Sequence, residues 1–165
     1  MTYAVRALER HDIDAVERIY KAHAGGDVRR RRELRARVEA LLDQRDEASN
    51  EAPAVALVGV TSRARVAAYL VGEARGWEFG SEPAGWIFAL GVDPRDGRKG
   101  VGTMLLEEAA SRFAELGVST VRTMVRKDDV SVLRFFRSGR FAAGPYVELE
   151  LDLAHRPQND DTRTR

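Results

Sequence analysis

Cysteine is absent from this chain of 165 residues. That excludes a disulfide framework, a thiol nucleophile and any cysteine-held metal. Histidine is scarce. His11, His23 and His155 are too scattered to ligate a metal together, so no metal is expected. Lysine occurs only at Lys21, Lys99 and Lys127, so 24 of the 27 basic residues are arginine. An excess of one charge is also missing. Against 26 acidic residues the net charge is +1, too weak a field to hold nucleic acid or an anionic membrane. No apolar run approaches the ~20 residues that cross a bilayer. The start, Met1-Thr2-Tyr3-Ala4-Val5-Arg6, lacks the basic cluster and apolar stretch of a secretory signal. Together these absences fit a cytoplasmic protein without nucleic-acid or membrane partners.

Hydrophobic residues make up 44%, enough to build one core in a chain of this length. Residues 1–153 read as one domain and 154–165 as a polar, disordered tail. Tyr3 to Leu8 alternates and predicts a strand. A helix follows from His11-Asp12-Ile13-Asp14, with Ile13, Val16, Ile19, Tyr20 and His23 at helical spacing, and Gly25-Gly26 ends it. A second helix is expected over about Arg30 to Gln44. Ala54 to Val60 and Val66 to Ala74 form a hairpin around Thr61-Ser62-Arg63. Gly76 to Gly85 is a loop that carries Trp77 and Phe79, either covering the site or meeting a second copy. Trp86 to Val92, apolar throughout, predicts a strand buried on both faces. Gly100 to Leu116 is an amphipathic helix closed by Gly117. Val118 to Val125 is a strand, and Asp128 or Asp129 caps a helix to Ser138. Phe141 to Leu153 contains further strand, including the alternating Val147-Glu148-Leu149-Glu150-Leu151.

Chemistry concentrates in Leu90-Gly91-Val92-Asp93-Pro94-Arg95-Asp96-Gly97-Arg98-Lys99-Gly100-Val101-Gly102-Thr103. A buried strand leads through a glycine-bearing turn into a helix. Gly97, Gly100 and Gly102 leave the backbone bare where the unpaired first-turn N–H groups gather, and Arg98 and Lys99 add charge. That combination suits a phosphate or pyrophosphate. The other reading is a turn that needs only glycine's freedom. A Walker loop does not fit, because Lys99 precedes Gly100 and no lysine follows Gly102. A dinucleotide fingerprint does not fit either, because Leu105 stands where a third glycine belongs.

The segment resembles the pyrophosphate loop of the GNAT superfamily of N-acetyltransferases, in Val92-Asp93-Pro94, Gly100-Val101-Gly102 and Met104-Leu105-Leu106. A second resemblance spans Asp129, Val132, Phe135-Phe136 and Phe141. The order of elements from Tyr3 to Leu153 is similar too. The resemblance implies an α/β (α+β) fold: a mixed, mainly antiparallel sheet of about six or seven strands, helices on both faces, and a β-α-β crossover at the cofactor site. It implies acetyl-CoA as co-substrate, transfer of acetyl to a primary amine on a small molecule or protein, and a homodimer. The implied cofactor-binding residues are Leu90, Gly91, Val92, Gly97, Arg98, Lys99, Gly100, Val101, Gly102, Thr103, Asp129 and Phe136.

Four departures stand out. Gly97 and Arg98 replace Gln/Arg followed by Gly. Asp129 replaces an asparagine. Gly139-Arg140-Phe141 replaces Leu-Gly-Phe, and since arginine tolerates a left-handed helix stop less well than glycine, the helix is expected to end one residue early. Phe136 stands where related enzymes place a tyrosine that protonates the departing thiolate.

The resemblance implies an oxyanion held by the Val92 N–H and a pantetheine arm between splayed fourth and fifth strands. Glu73 is a candidate base, with an exposed strand glutamate as the alternative. Tyr146 is a candidate proton donor, with packing as the alternative. The run Arg29-Arg30-Arg31-Arg32 with Arg35 and Arg37 reads as a solvated helix face, or as a bias toward acidic acceptors. An acyl-CoA-binding regulatory module without catalysis is the other function that these residues leave open.

Overall fold

The computed structural model describes residues 2–23, 27–46, 53–76 and 80–154. The alternating start of the chain forms β1 (Tyr3–Ala7). A 3-10 turn over Arg10–Asp12 then leads into helix α1 (Ile13–His23), which buries Ile13, Val16 and Ile19. Asp12 secures that junction. It is 2% exposed, accepts from Arg6 at 2.6 and 2.8 Å and from the Glu9 N–H at 2.9 Å. Helix α2 (Val28–Asp46) turns Val38, Leu41 and Leu42 inward. Strands β2 (Ala54–Thr61) and β3 (Val66–Arg75) form the hairpin, and β4 (Ala84–Val92) follows. Helix α3 (Val101–Glu115), β5 (Val121–Thr123) and helix α4 (Val130–Ser138) complete the order.

The five strands lie in sequence order in one sheet. The first four pair antiparallel, and β4 pairs parallel with β5 across α3. Side chains alternate across the sheet and feed two cores. Leu57, Leu70 and Ile87 pack with Leu105, Ala109 and Phe113 of α3 and with Phe136 of α4. Val58, Tyr69 and Val71 pack with Ile19 of α1 and Val38 and Leu42 of α2. Helices therefore cover both faces, as expected. Among the described residues no helix is long and apolar enough to cross a membrane, and no group of three metal-ligating side chains gathers.

Four expectations change. The described residues hold five strands rather than six or seven. The shortfall lies at Phe141 to Leu153, which forms no strand: Phe141 packs on Phe136, but Val147, Leu149 and Leu151 stand 81%, 90% and 70% exposed. Alternation supplies a face, and a strand also needs a neighbouring edge to bond. The fifth strand keeps only Val121–Thr123 of its expected span. Strand β4 is not buried on both faces, for Phe88 is 37% exposed. The register shift that pairs Val71 with Ala89 and Gly72 with Ile87 leaves Phe88 as a bulge. The Gly25-Gly26 stop, the aromatics Trp77 and Phe79, and the tail from His155 lie outside the described residues.

Candidate active site

Strands β4 and β5 part company early. Their pairs are Gly85 with Val121, Trp86 with Arg122 and Ile87 with Thr123, and the Thr123 hydroxyl closes the seam by donating to the Ile87 carbonyl at 2.9 Å. Beyond that point, among the described residues, β4 runs on to Val92 unpaired on this edge. On the other edge the Asp93 N–H donates to the Ala67 carbonyl at 2.7 Å, with Val92 opposite Ala68. Peptide groups alternate in direction along a strand, so the N–H groups of Val92 and Leu90 point away from β3 and into the gap.

The mouth of α3 lies next to this gap. Gly100 is its N-cap at φ 88°, a left-handed conformation that glycine adopts without penalty. No side chain caps the helix and no acidic residue sits in its first turn. Among the described residues a Cβ at Gly100 would meet nothing within 4 Å, so there is free space at the helix start. Its first-turn amides have no partner within the helix and carry the positive end of the dipole. Helix α4 shows the opposite arrangement, since Asp129 accepts from the Val132 N–H at 3.0 Å and closes it.

A buried ionic network anchors the turn between β4 and α3. Asp93 and Asp96 are 2% and 1% exposed. Asp93 accepts from Arg95 at 2.8 and 3.0 Å and from Arg18 at 2.5 Å. Asp96 accepts from Arg65 at 2.7 Å and from the Tyr3 hydroxyl at 2.9 Å. The Arg95 hydrogen bonds, with Arg18 behind them, hold the Asp93 carboxyl well below the usual carboxylate range against the opposing effect of burial. Burial also opposes ionisation of Asp96, but the bonds from Arg65 and Tyr3 prevail and lower it. Arg98 makes no hydrogen bond or ion pair among the described residues, so its guanidinium is uncommitted beside the mouth.

The gap opens into a cleft of about 500 Å³. Tyr20 and His23 of α1 line one side, Phe88 to Val92 of β4 the middle, and Met124, Asp129, Phe135 and Phe136 the other. Burial pushes the Tyr69 hydroxyl upward at its base. The profile of the acetyltransferase (GNAT) family matches residues 15–139, which include the cleft and the α3 mouth. The chain belongs to the GNAT family of acetyltransferases.

No curated protein matches the chain in sequence. Solved structures match its fold. An aminoglycoside acetyltransferase from an uncultured soil metagenomic sample, solved with sisomicin, is 21% identical at a TM-score of 0.67, over 92% of this chain and 96% of that one. An aminoglycoside N-acetyltransferase solved with CoA is 12% identical at 0.74, over 92% and 95%. A transcriptional regulator from Bacillus halodurans is 14% identical at 0.70, over 92% and 99%.

Within this GNAT fold, Leu90, Gly91, Val92, Asp129 and Phe136 come together in the cleft. The loop from Gly97 to Thr103 joins them through Gly102, whose added Cβ would lie 3.2 Å from Phe135 and 3.3 Å from Val92. Phe136 is 7% exposed and stacks edge-on with Phe135 and Phe141 at 5.2 and 5.1 Å. Glu73 and Tyr146 are not brought into the cleft. Glu73 is buried rather than exposed, pairs with Trp86 at the far end of β4, and accepts from Arg37 and Arg75 at 2.6 Å each. Tyr146 is 52% exposed, with Arg122 5.1 Å above its ring. The arginines of α2 are largely taken: Arg29 pairs with Glu33, Arg30 with Asp27, and Arg35 with Glu39 and Asp14.

Tyr20 and His23 are the cleft residues that sequence reasoning missed as functional. They continued the apolar stripe of α1 and read as its packing face. The available signal was that this stripe changes from Ile and Val to a hydroxyl-bearing and an imidazole side chain at its last turn.

Proposed function

We propose that this protein is an acetyl-CoA-dependent N-acetyltransferase that moves an acetyl group to a primary amine by direct attack in a ternary complex. The observation that carries the reading is the divergence of β4 and β5 beside an uncapped, glycine-lined helix mouth. The N–H groups of Val101, Gly102 and Thr103 would take the coenzyme's diphosphate, with Arg98 and Lys99 alongside. The arm would lie in the gap, against Leu90, Gly91, Asp129 and Phe136. The Val92 N–H would hold the thioester oxygen as it gains charge. The CoA held by one fold relative, and the aminoglycoside held by another, support this coenzyme and a small-molecule amine acceptor.

In the transfer, a neutral amine attacks the thioester carbon, a C–N bond forms and the C–S bond breaks. Phe136 has no proton to give the sulfur. A thiol with a pKa of roughly 8.5 is already a fair leaving group near neutral pH, and water supplies the proton. The test is CoA release from acetyl-CoA with a panel of amines that includes sisomicin, spermidine and lysine amide. Amine-dependent release above hydrolysis is expected with at least one. Phe136 also favours a second reading, an acyl-CoA-binding regulatory module without catalysis. Tight calorimetric CoA binding with no amine-dependent release would select it.

A further inference from the structure

We propose that His23 is the general base of this cleft, taking the proton that the ammonium form of the acceptor must lose before it can attack. The proposal rests on the acetyltransferase reading above. The cleft offers few groups for the task. Asp129 is its one carboxylate among the lining residues, and that carboxylate caps α4 through the Val132 N–H. Thr123 has its hydroxyl committed to Ile87. Tyr69 is 1% exposed, and burial disfavours its ionised form. Asp93, next to Val92, is held as a carboxylate by Arg95 and Arg18. Glu73 is outside the cleft and held by two arginines. Ser131 also lines the cleft, but an aliphatic hydroxyl is far too weak a base to take a proton from an ammonium, so what remains is Tyr20 and His23, both on α1.

The geometry selects His23. Its Nε2 is hydrogen-bonded to the Val92 carbonyl oxygen. A carbonyl only accepts, so Nε2 carries the hydrogen, and in the neutral imidazole that leaves the lone pair on Nδ1. Val92 is the residue whose N–H faces the gap, and the C=O of a strand residue points to the same side as its N–H. The imidazole therefore stands beside the peptide group assigned to the thioester oxygen. His23 is also exposed, so a proton taken there can pass to water. It occupies the last turn of α1, where the partial negative charge of the helix end faces a transient cation.

The proton balance closes. The ammonium gives one proton to Nδ1, and the amine nitrogen then forms its bond to the carbonyl carbon. As the C–S bond breaks, its electron pair goes to sulfur, and the second nitrogen-bound proton reaches the thiolate through water. His23 returns its proton to solvent, so each turnover releases one net proton.

The test is His23→Gln. A glutamine amide can still donate to the Val92 carbonyl, but it cannot carry a proton. The probe amine is whichever of sisomicin, spermidine and lysine amide the wild type turns over fastest. The kcat/KM for that amine should fall about 100-fold or more near neutral pH, while calorimetric CoA affinity stays within about twofold. The deficit should shrink as pH rises past the amine's own pKa, because the free amine then needs no base. Added imidazole should partly rescue His23→Ala. Wild-type kcat/KM in His23→Gln, or a deficit of equal size at every pH, would overturn the assignment and leave the acetyltransferase reading standing. Absence of amine-dependent turnover in the wild type, with CoA bound, would overturn that reading and this base with it.

Discussion

Arg98 and Arg140 both hold left-handed backbone, at φ 60° and 66°, directly after a glycine that does not. For an L residue this costs about 1 kcal/mol. A Cβ on Gly139, which precedes Arg140, would sit 2.5 Å from Leu106 Cδ2, so any side chain there would force the end of Leu106 to shift where α4 meets α3. The expectation that an arginine here would end the helix one residue early is not met: α4 runs to Ser138, and Arg140 itself takes the left-handed turn. Thermal melts should show Arg140→Gly stabilised by about 0.5–1 kcal/mol. Gly139→Ala should lose about 1–2 kcal/mol through the clash with Leu106. At the α3 mouth, Gly100→Asp should cost more in binding than in folding. It adds a strained Cβ and a negative charge where the diphosphate is proposed to sit, and calorimetry should show CoA affinity down at least about tenfold.

The elements that build the cleft differ in how they begin and where they stop pairing. Helix α3 starts without a cap and α4 with one, a contrast already legible in Gly100 and Asp129. The glycine spacing, the amphipathic run from Val101 and the closing Gly117 at φ 77° made α3 readable to within a residue or two. The parting of β4 from β5 was implied by resemblance but not by pattern, since Val118 to Val125 looks like one continuous strand. What shortens it is geometry: pairing stops at Ile87 and Thr123, just where Phe88 bulges. The same limit applies beyond Phe141. The alternation of Val147, Leu149 and Leu151 is plain in sequence, yet a ladder depends on which edge lies within reach. His23 was hidden for a related reason. Helical spacing read it as the end of the packing stripe of α1, whereas it is exposed, and only the tertiary fold sets its ring against the carbonyl of Val92.

Across the whole molecule, the ionic network under the α3 mouth links distant segments. Tyr3 of β1 and Arg65 before β3 hold Asp96, while Arg18 of α1 holds Asp93. None of these pairs follows from local sequence, though the net charge near zero is consistent with extensive pairing. The Asp93 and Asp96 carboxyls sit below their ordinary range in the folded chain. Such groups contribute stability that is fully present above the unfolded value of about 3.9 and is lost as pH falls through the folded one. Urea unfolding at pH 7 and pH 3 should therefore show the wild type weakening on acidification. Asp96→Asn should be less stable at pH 7, by about 1–3 kcal/mol, and should lose less between the two conditions. Equal acid losses in both proteins would assign the acid sensitivity elsewhere.

A crystal structure with CoA tests the central claim most directly. The account predicts the diphosphate within hydrogen-bond distance of the Val101, Gly102 and Thr103 amides, with the arm between β4 and β5. Coenzyme bound elsewhere, or a mouth filled by the protein's own side chains, would contradict it.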